Sequence, residues 1–171
     1  MNNKFDVKKL IQISLLIAIE IILTRFCSIQ TPIIRIGFGF VPVAVIAIMY
    51  GPLSAGIAYA IGDIIGLILF PSGAFFPGFT LTAFLTGITY GVFLYNKPAT
   101  WIRIIGSALV VCLILNLGLD TLWLSIIMGK GYLALLPTRI IKSILMIPIQ
   151  TVIIGVIWKK VILRIMKVSH I

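Results

Sequence analysis

The chain has 171 residues, 61% of them apolar and only 11% charged, with fourteen Lys and Arg against four Asp and Glu for a net charge of +10. Soluble domains carry roughly a quarter charged residues, and the mean hydropathy here is +1.22, which excludes an ordinary soluble fold. A nucleic-acid binder of this charge would gather its basic residues on one polar face; here they punctuate the ends of long apolar runs, as in a polytopic membrane protein.

A membrane-spanning helix needs about 20 mainly apolar residues. Lys4, Lys8 and Lys9 precede a first apolar run from Leu10 to Leu23. No small-residue cleavage site follows it, so it reads as a retained helix over about 7–28 rather than a secretory signal. Ser14 and Ala18, four apart, permit another helix to approach closely. Glu20 lies mid-span, and its position alone suggests only a structural role. Arg25 and Arg35 then flank a first loop containing Pro32, Gly37 and Gly39, which predicts an ordered or re-entrant segment able to bend over a ligand.

A short second helix is expected over about 38–50, followed by the turn Tyr50-Gly51-Pro52 and a third helix over about 53–70. The loop 71–78 leads to a fourth helix over about 79–95. A fifth covers about 101–128 and, after a loop at 129–136, a sixth covers about 136–160. The expectation is one all-α integral membrane domain over 1–171 with six transmembrane helices, no internal repeat and no linker.

With six spans the termini share a side. That side collects Lys4, Lys8, Lys9, Lys97, Arg103, Lys159, Lys160, Arg164 and Lys167, against Arg25, Arg35, Lys130, Arg139 and Lys142 on the other. The bias of nine to five predicts cytoplasmic termini and places loops 28–38, 71–78 and 129–136 outside.

Charges within spans cost roughly 2.5–3.5 kcal/mol on insertion scales and so mark cavities or partners. Asp63 follows Gly62, and helical spacing puts Tyr59, Gly62, Asp63, Gly66 and Phe70 on one face. Two readings follow: glycines clearing space around a ligand-binding carboxylate, or a small-residue packing face with the acid paired to a neighbouring helix. Asn116, Asp120 and Trp123 form a stripe on helix 5, read either as ligand contacts or as an interhelical hydrogen-bond cluster with an interfacial Trp. On helix 6, Lys142 is long enough to snorkel to the interface, while the planar fork of Arg139 suits a carboxylate. Arg25, Arg35 and Arg139 would form an external rim attractive to an anion, with Phe38, Phe40, Phe75, Phe76, Phe79 and Trp123 as flat walls. Cys27 and Cys112 show no metal spacing and read as packing residues, and the terminal His170 offers no chemistry.

Absences narrow the function. The chain has no GxxxxGK[ST] phosphate loop, no HExxH and no GxSxG, so neither nucleotide hydrolysis by that loop nor His-based hydrolysis is expected. No catalytic residue, metal or cofactor is predicted.

The run from Arg25 through Gln30-Thr31-Pro32 and Arg35-Ile36-Gly37-Phe38-Gly39-Phe40-Val41-Pro42 resembles the substrate-specific (S) components of energy-coupling factor (ECF) transporters, and most of all the folate-specific ones. Tyr50-Gly51-Pro52, Gly62-Asp63, Phe76-Pro77-Gly78-Phe79-Thr80 and Pro137-Thr138-Arg139 fit the same pattern, so the resemblance covers nearly the whole chain. It implies a bacterial cell-membrane protein with an external vitamin pocket capped by loops 1, 3 and 5. It also implies partners: a transmembrane coupling protein and two cytoplasmic ATPases, which would supply the ATP chemistry. Where the family shows Ala-x-x-x-Ala toward the coupling protein, this chain has Ser14-x-x-x-Ala18.

Folate suits the residues singled out. A pterin presents an amino group and a ring N–H that Asp63 can accept together, Asn116 can meet its carbonyl, and Tyr59, Phe38, Phe79 and Trp123 offer stacking surfaces. Arg25, Arg35 or Lys130 would meet the glutamate tail. The alternatives are an S component for pantothenate, riboflavin or thiamine and, from another class, a lipid-modifying membrane enzyme, which would need paired acids or a metal cluster at one depth.

Overall fold

The computed structural model describes residues 7–30, 35–71, 76–98 and 100–168, the side chains of Ile29, Gln30, Arg35 and residues 161–168 excepted. Lys4, the loop positions Thr31 and Pro32, Phe75 and His170, all considered from sequence, lie outside the described residues.

Six helices follow the apolar runs: α1 Val7–Arg25, α2 Phe40–Tyr50, α3 Pro52–Leu69, α4 Pro77–Leu94, α5 Trp101–Met128 and α6 Tyr132–Val168. Helices α3 to α6 are each long and apolar enough to cross a membrane. α1 has the length, 19 residues, but carries Lys8, Lys9, Glu20 and Arg25. α2, at 11 residues, rises only about 17 Å and falls short of a bilayer core of about 30 Å. It survives inside the bundle because protein rather than lipid surrounds it: Val43, Ala44, Ile46 and Ala47 are each at most 1% exposed. It shares one buried core with Tyr90, Leu94, Val111, Cys112, Ile154 and Trp158 of α4, α5 and α6.

The connection between α2 and α3 is a single residue. Gly51 turns at φ 89°, a left-handed conformation that side chains disfavour, and Pro52 opens α3 where its missing N–H costs nothing. α3 and α4 then lie in close contact. A Cβ on Gly87 would come within 2.6 Å of the Gly56 nitrogen, and one on Gly91 within 2.6 Å of the Pro52 Cβ. Small residues that admit such an approach are how helices associate without a hydrophobic driving force between them.

The first loop and the last helix differ most from the sequence reading, the last helix running on to Val168 rather than ending near 160. The first loop contains an antiparallel pair, β1 Ser28–Gln30 with β2 Arg35–Gly37, in the register Ser28↔Gly37, Ile29↔Ile36 and Gln30↔Arg35. Helix 1 accordingly stops at Arg25 rather than near 28. The expected loop at 129–136 shrinks, because α6 starts at Tyr132 and holds Pro137 and Pro148 within it. At 37 residues α6 is about 55 Å long, so one end leaves the bilayer core.

The middle of α5, Val110–Leu119, is π-helical. The wider turn changes the backbone pairing of the segment. The Cys112 carbonyl accepts a hydrogen bond from Ser143 Oγ on α6 at 3.2 Å. Beside it the Gln150 Oε1 accepts from Tyr90 Oη at 3.0 Å and from Cys112 Sγ at 3.4 Å. Cys112 is thus a packed core residue, whereas Cys27 is exposed.

Candidate functional site

Chain direction brings the C-terminal ends of α1, α3 and α5, the N-terminal ends of α2, α4 and α6, and the β1–β2 hairpin to one end of the bundle. An edge-on contact of Phe26 with Phe70, ring centres 5.0 Å apart, ties α1 to α3 there. Of the residues singled out from sequence, Arg25, Arg35, Phe38, Asp63, Phe79 and Trp123 lie toward this end.

Asp63 is half-buried on α3 and accepts a hydrogen bond from Thr80 Oγ1 of α4 at 2.9 Å. The glycines beside it do not clear its space, contrary to the first of the two sequence readings. A side chain on Gly62 would run into the Glu20 carboxylate of α1, and one on Gly66 would begin 3.0 Å from Arg25 Nε. The reason is rotational. Successive helical residues point about 100° apart, so turning Gly62 toward α1 turns Asp63 toward α4. Tyr59, one turn earlier, is half-buried and packs against the core.

Glu20, which sequence left without a site role, is 2% exposed and accepts a hydrogen bond from Thr24 Oγ1 at 2.7 Å. Its mid-span position was legible, but the glycine notches at Gly62 of α3 and at Gly39, just before α2, that receive it were not.

On α5, Asn116 is half-buried within the π-helical segment. Asp120 and Arg139 form an ion pair at 3.8 Å, with Arg139 Nη1 also donating to the Asp120 carbonyl at 3.1 Å. Arg139 is 5% exposed. It is therefore not a rim residue: its fork is turned inward onto α5, and α6's early start places it two turns inside the helix rather than at its mouth.

Trp123 Nε1 donates to Thr82 Oγ1 at 3.1 Å. The indole lies over Gly78, where an added Cβ would come within 2.5 Å of it, and its ring centre is 5.5 Å from that of Phe76. Phe76 in turn meets Phe79 edge-on at 6.3 Å. These three rings form one aromatic wall. Phe38 pairs instead with Phe40 at 6.4 Å and is 41% exposed.

Arg25 is half-buried at the end of α1, and Arg35 stands opposite Gln30 in the hairpin. Lys130 is exposed between α5 and α6. Ser14 and Ala18 are exposed on α1, beside Ile11 and Leu15, on the outside of the bundle and away from the Asp63 region. Thr80 and Thr82 were missed from sequence. Their signal was a pair of hydroxyls spaced by two in the first turns of the helix opened by Pro77-Gly78.

The candidate residues thus supply a carboxylate hydrogen-bonded to a hydroxyl, an amide on an irregular helical segment, an aromatic wall and two arginines at or beside the hairpin. Such a set can hold a flat heterocycle that donates hydrogen bonds and carries an anionic tail.

Comparison with known proteins agrees with that chemistry. Residues 8–158 match the family model described as ECF transporter, substrate-specific component. The chain is 47% identical over 155 residues to the folate transporter FolT of Clostridium novyi (strain NT), covering 91% of this chain and 90% of that protein. It is 33% identical over 153 residues to the folate transporter FolT of Leuconostoc mesenteroides subsp. mesenteroides, covering 86% and 82%. A crystal structure of FolT bound with folic acid superposes with a TM-score of 0.80 at 39% identity, covering 85% of this chain and 88% of that one. A family whose members are transport subunits rather than enzymes accounts for the apolar helices and the absence of a phosphate loop, and this multi-pass bacterial membrane protein belongs to it: the substrate-specific components of ECF transporters.

Proposed function

We propose that this chain is the folate-binding subunit of an ECF importer, capturing folate outside the cell and delivering it through a transmembrane coupling protein and two cytoplasmic ATPases. The observation that carries the reading is the fit between the Asp63 region and the likeness to FolT bound with folic acid. In this reading the pterin's amino group and ring N–H donate to the Asp63 carboxylate, which Thr80 holds in orientation. A charged acceptor strengthens both bonds. Asn116 meets the remaining polar edge of the ring, while Trp123, Phe76 and Phe79 form its wall. Arg25 and Arg35, with Lys130 further out, attract the dianionic tail. Arg139 acts indirectly, by holding Asp120 and so fixing α5 against α6.

The termini are assigned to the cytoplasm from the excess of Lys and Arg on their side. That assignment puts the hairpin end outside, where vitamin is captured. The exposed Ser14–Ala18 face of α1 is assigned to the coupling protein, since small residues let a partner helix approach closely.

Calorimetric titration of the detergent-solubilised protein with folate, pantothenate, riboflavin and thiamine tests the substrate. Folate alone is expected to bind tightly; tight binding of another vitamin instead would reassign it. In liposomes the purified chain is expected to bind folate without concentrating it, and to concentrate it once coupling protein, ATPases and ATP are added.

A further inference from the structure

The mid-span carboxylate of Glu20 is the most conspicuous group that ligand binding leaves unused. A charge at this depth is costly and is retained where it does something. Its surroundings are built for it. Gly62 of α3 leaves a notch that any side chain would fill, onto the carboxylate itself. Gly39, which precedes the first turn of α2, leaves a second: an added Cβ would strike Thr24 Oγ1 and lie 3.3 Å from Glu20 Oε1. Thr24 donates to Glu20, and Ser28 Oγ donates to the Thr24 carbonyl at 2.6 Å. Ser28 is the first residue of β1 and pairs with Gly37, where an added Cβ would lie only 2.8 Å from the Ser28 Cβ.

Glu20, Thr24 and Ser28 thus form a column at helical spacing, from the middle of α1 up to the hairpin. At its foot the column touches Gly62, the residue next to Asp63. At its head it holds the strand pair that contains Arg35.

We infer that Glu20 is a positioning residue for ligand capture: seated between Gly39 and Gly62 and tied to Thr24, it sets the rotation of α3 that turns Asp63 toward Thr80, and through Thr24 and Ser28 it anchors the β1–β2 hairpin to the end of α1. Glu20 touches no ligand in this arrangement. It acts by keeping the carboxylate of α3 and the hairpin that carries Arg35 in one register. The inference deepens the folate reading and rests on it for the nature of the ligand, but its structural part stands on ligand-free contacts alone.

The test therefore has two arms, on the full chain in detergent. In the first, without ligand, hydrogen exchange is followed in wild type, Glu20→Ala and Glu20→Gln. Glu20→Ala is expected to speed exchange at residues 28–30 and 35–37 and in the first turn of α2 by about tenfold or more, with α5 and α6 unchanged. Glu20→Gln, which keeps the length and an acceptor for Thr24, is expected to restore most of the protection. An increase spread evenly over all helices, or equal losses in both variants, overturns the anchoring role. In the second arm folate affinity is measured for Glu20→Ala, Asp63→Asn and the double variant. Glu20→Ala is expected to weaken binding about tenfold or more, and the double variant to lose much less than the product of the two single losses, because both act through Asp63. Independent losses that multiply overturn positioning through Asp63. Failure of the wild type to bind folate would overturn the assigned ligand, while the exchange arm still decides the role of Glu20.

Discussion

Arg139 of α6 grips Asp120 of α5 twice, through the side-chain pair at 3.8 Å and through a hydrogen bond to its backbone carbonyl at 3.1 Å. The side chains are 6% and 16% exposed, so neither charge has much access to polar surroundings. Breaking a buried pair from one side strands the other charge, at a cost of about 3–5 kcal/mol. Arg139→Met alone, or Asp120→Leu alone, should lower the melting temperature of the detergent-solubilised protein sharply. The double variant should recover much of that loss, since an apolar replacement strands nothing. A double variant as unstable as the worse single one would show that the carbonyl bond or the packing, not the charge pair, carries the contact.

Asp63→Asn should weaken folate binding by about 1.5–3 kcal/mol, the range for a hydrogen bond to a charged group, with little change in thermal stability. The Asn side chain keeps the shape and an oxygen for Thr80 to donate to. Calorimetric titration reads the effect, and an unchanged affinity would remove Asp63 from the site.

Gly87→Ala should destabilise the protein by about 1–3 kcal/mol, the usual cost of overpacking. The new methyl would lie 2.5 Å from the Ala55 carbonyl oxygen and 2.6 Å from the Gly56 nitrogen, and backbone atoms cannot swing aside as a flexible side chain can. Gly131→Ala is the control. Nothing lies within 4 Å of its added methyl, so its melting temperature should match wild type.

Trp123 sits between Phe76 and Thr82, so its fluorescence should report ligand arrival. Folate is expected to quench emission in wild type, and Trp123→Phe is expected to remove most of the quench. Because Phe keeps an aromatic face but loses the N–H that meets Thr82, stability should fall by about 0.5–1.5 kcal/mol, the worth of one neutral hydrogen bond. A quench of undiminished size in the variant would place the ligand nearer Trp101 or Trp158.

Arg35→Ala should weaken or slow capture of the dianion, and the effect on the association rate should shrink as salt is raised. Stopped-flow binding at low and high ionic strength separates this steering from a direct contact, which would instead speed dissociation.

The amino-acid sequence by itself determined the membrane class, the number of helices and most of their bounds. Those depend on local properties: an apolar run long enough for a bilayer, and a Gly, Pro or charge to end it. Tyr50-Gly51-Pro52 shows this well, since a glycine free to take positive φ and a proline suited to a helix's first turn make the corner without help from elsewhere. The arginine-flanked first loop was similarly enough to mark the family. The partners of individual side chains were decided only by the tertiary structure. Helical periodicity put Gly62, Asp63 and Gly66 on one broad face, but it could not say that α1 would fill the glycine notches with Glu20 and Arg25 while α4 met the carboxylate with Thr80. Nor could it show that Arg139 turns inward to Asp120, or that α5 widens into a π-helix around Asn116. A helix's own sequence fixes the angles between its residues; its rotation against its neighbours is set by contacts between side chains far apart in the chain, and those exist only once the bundle has packed.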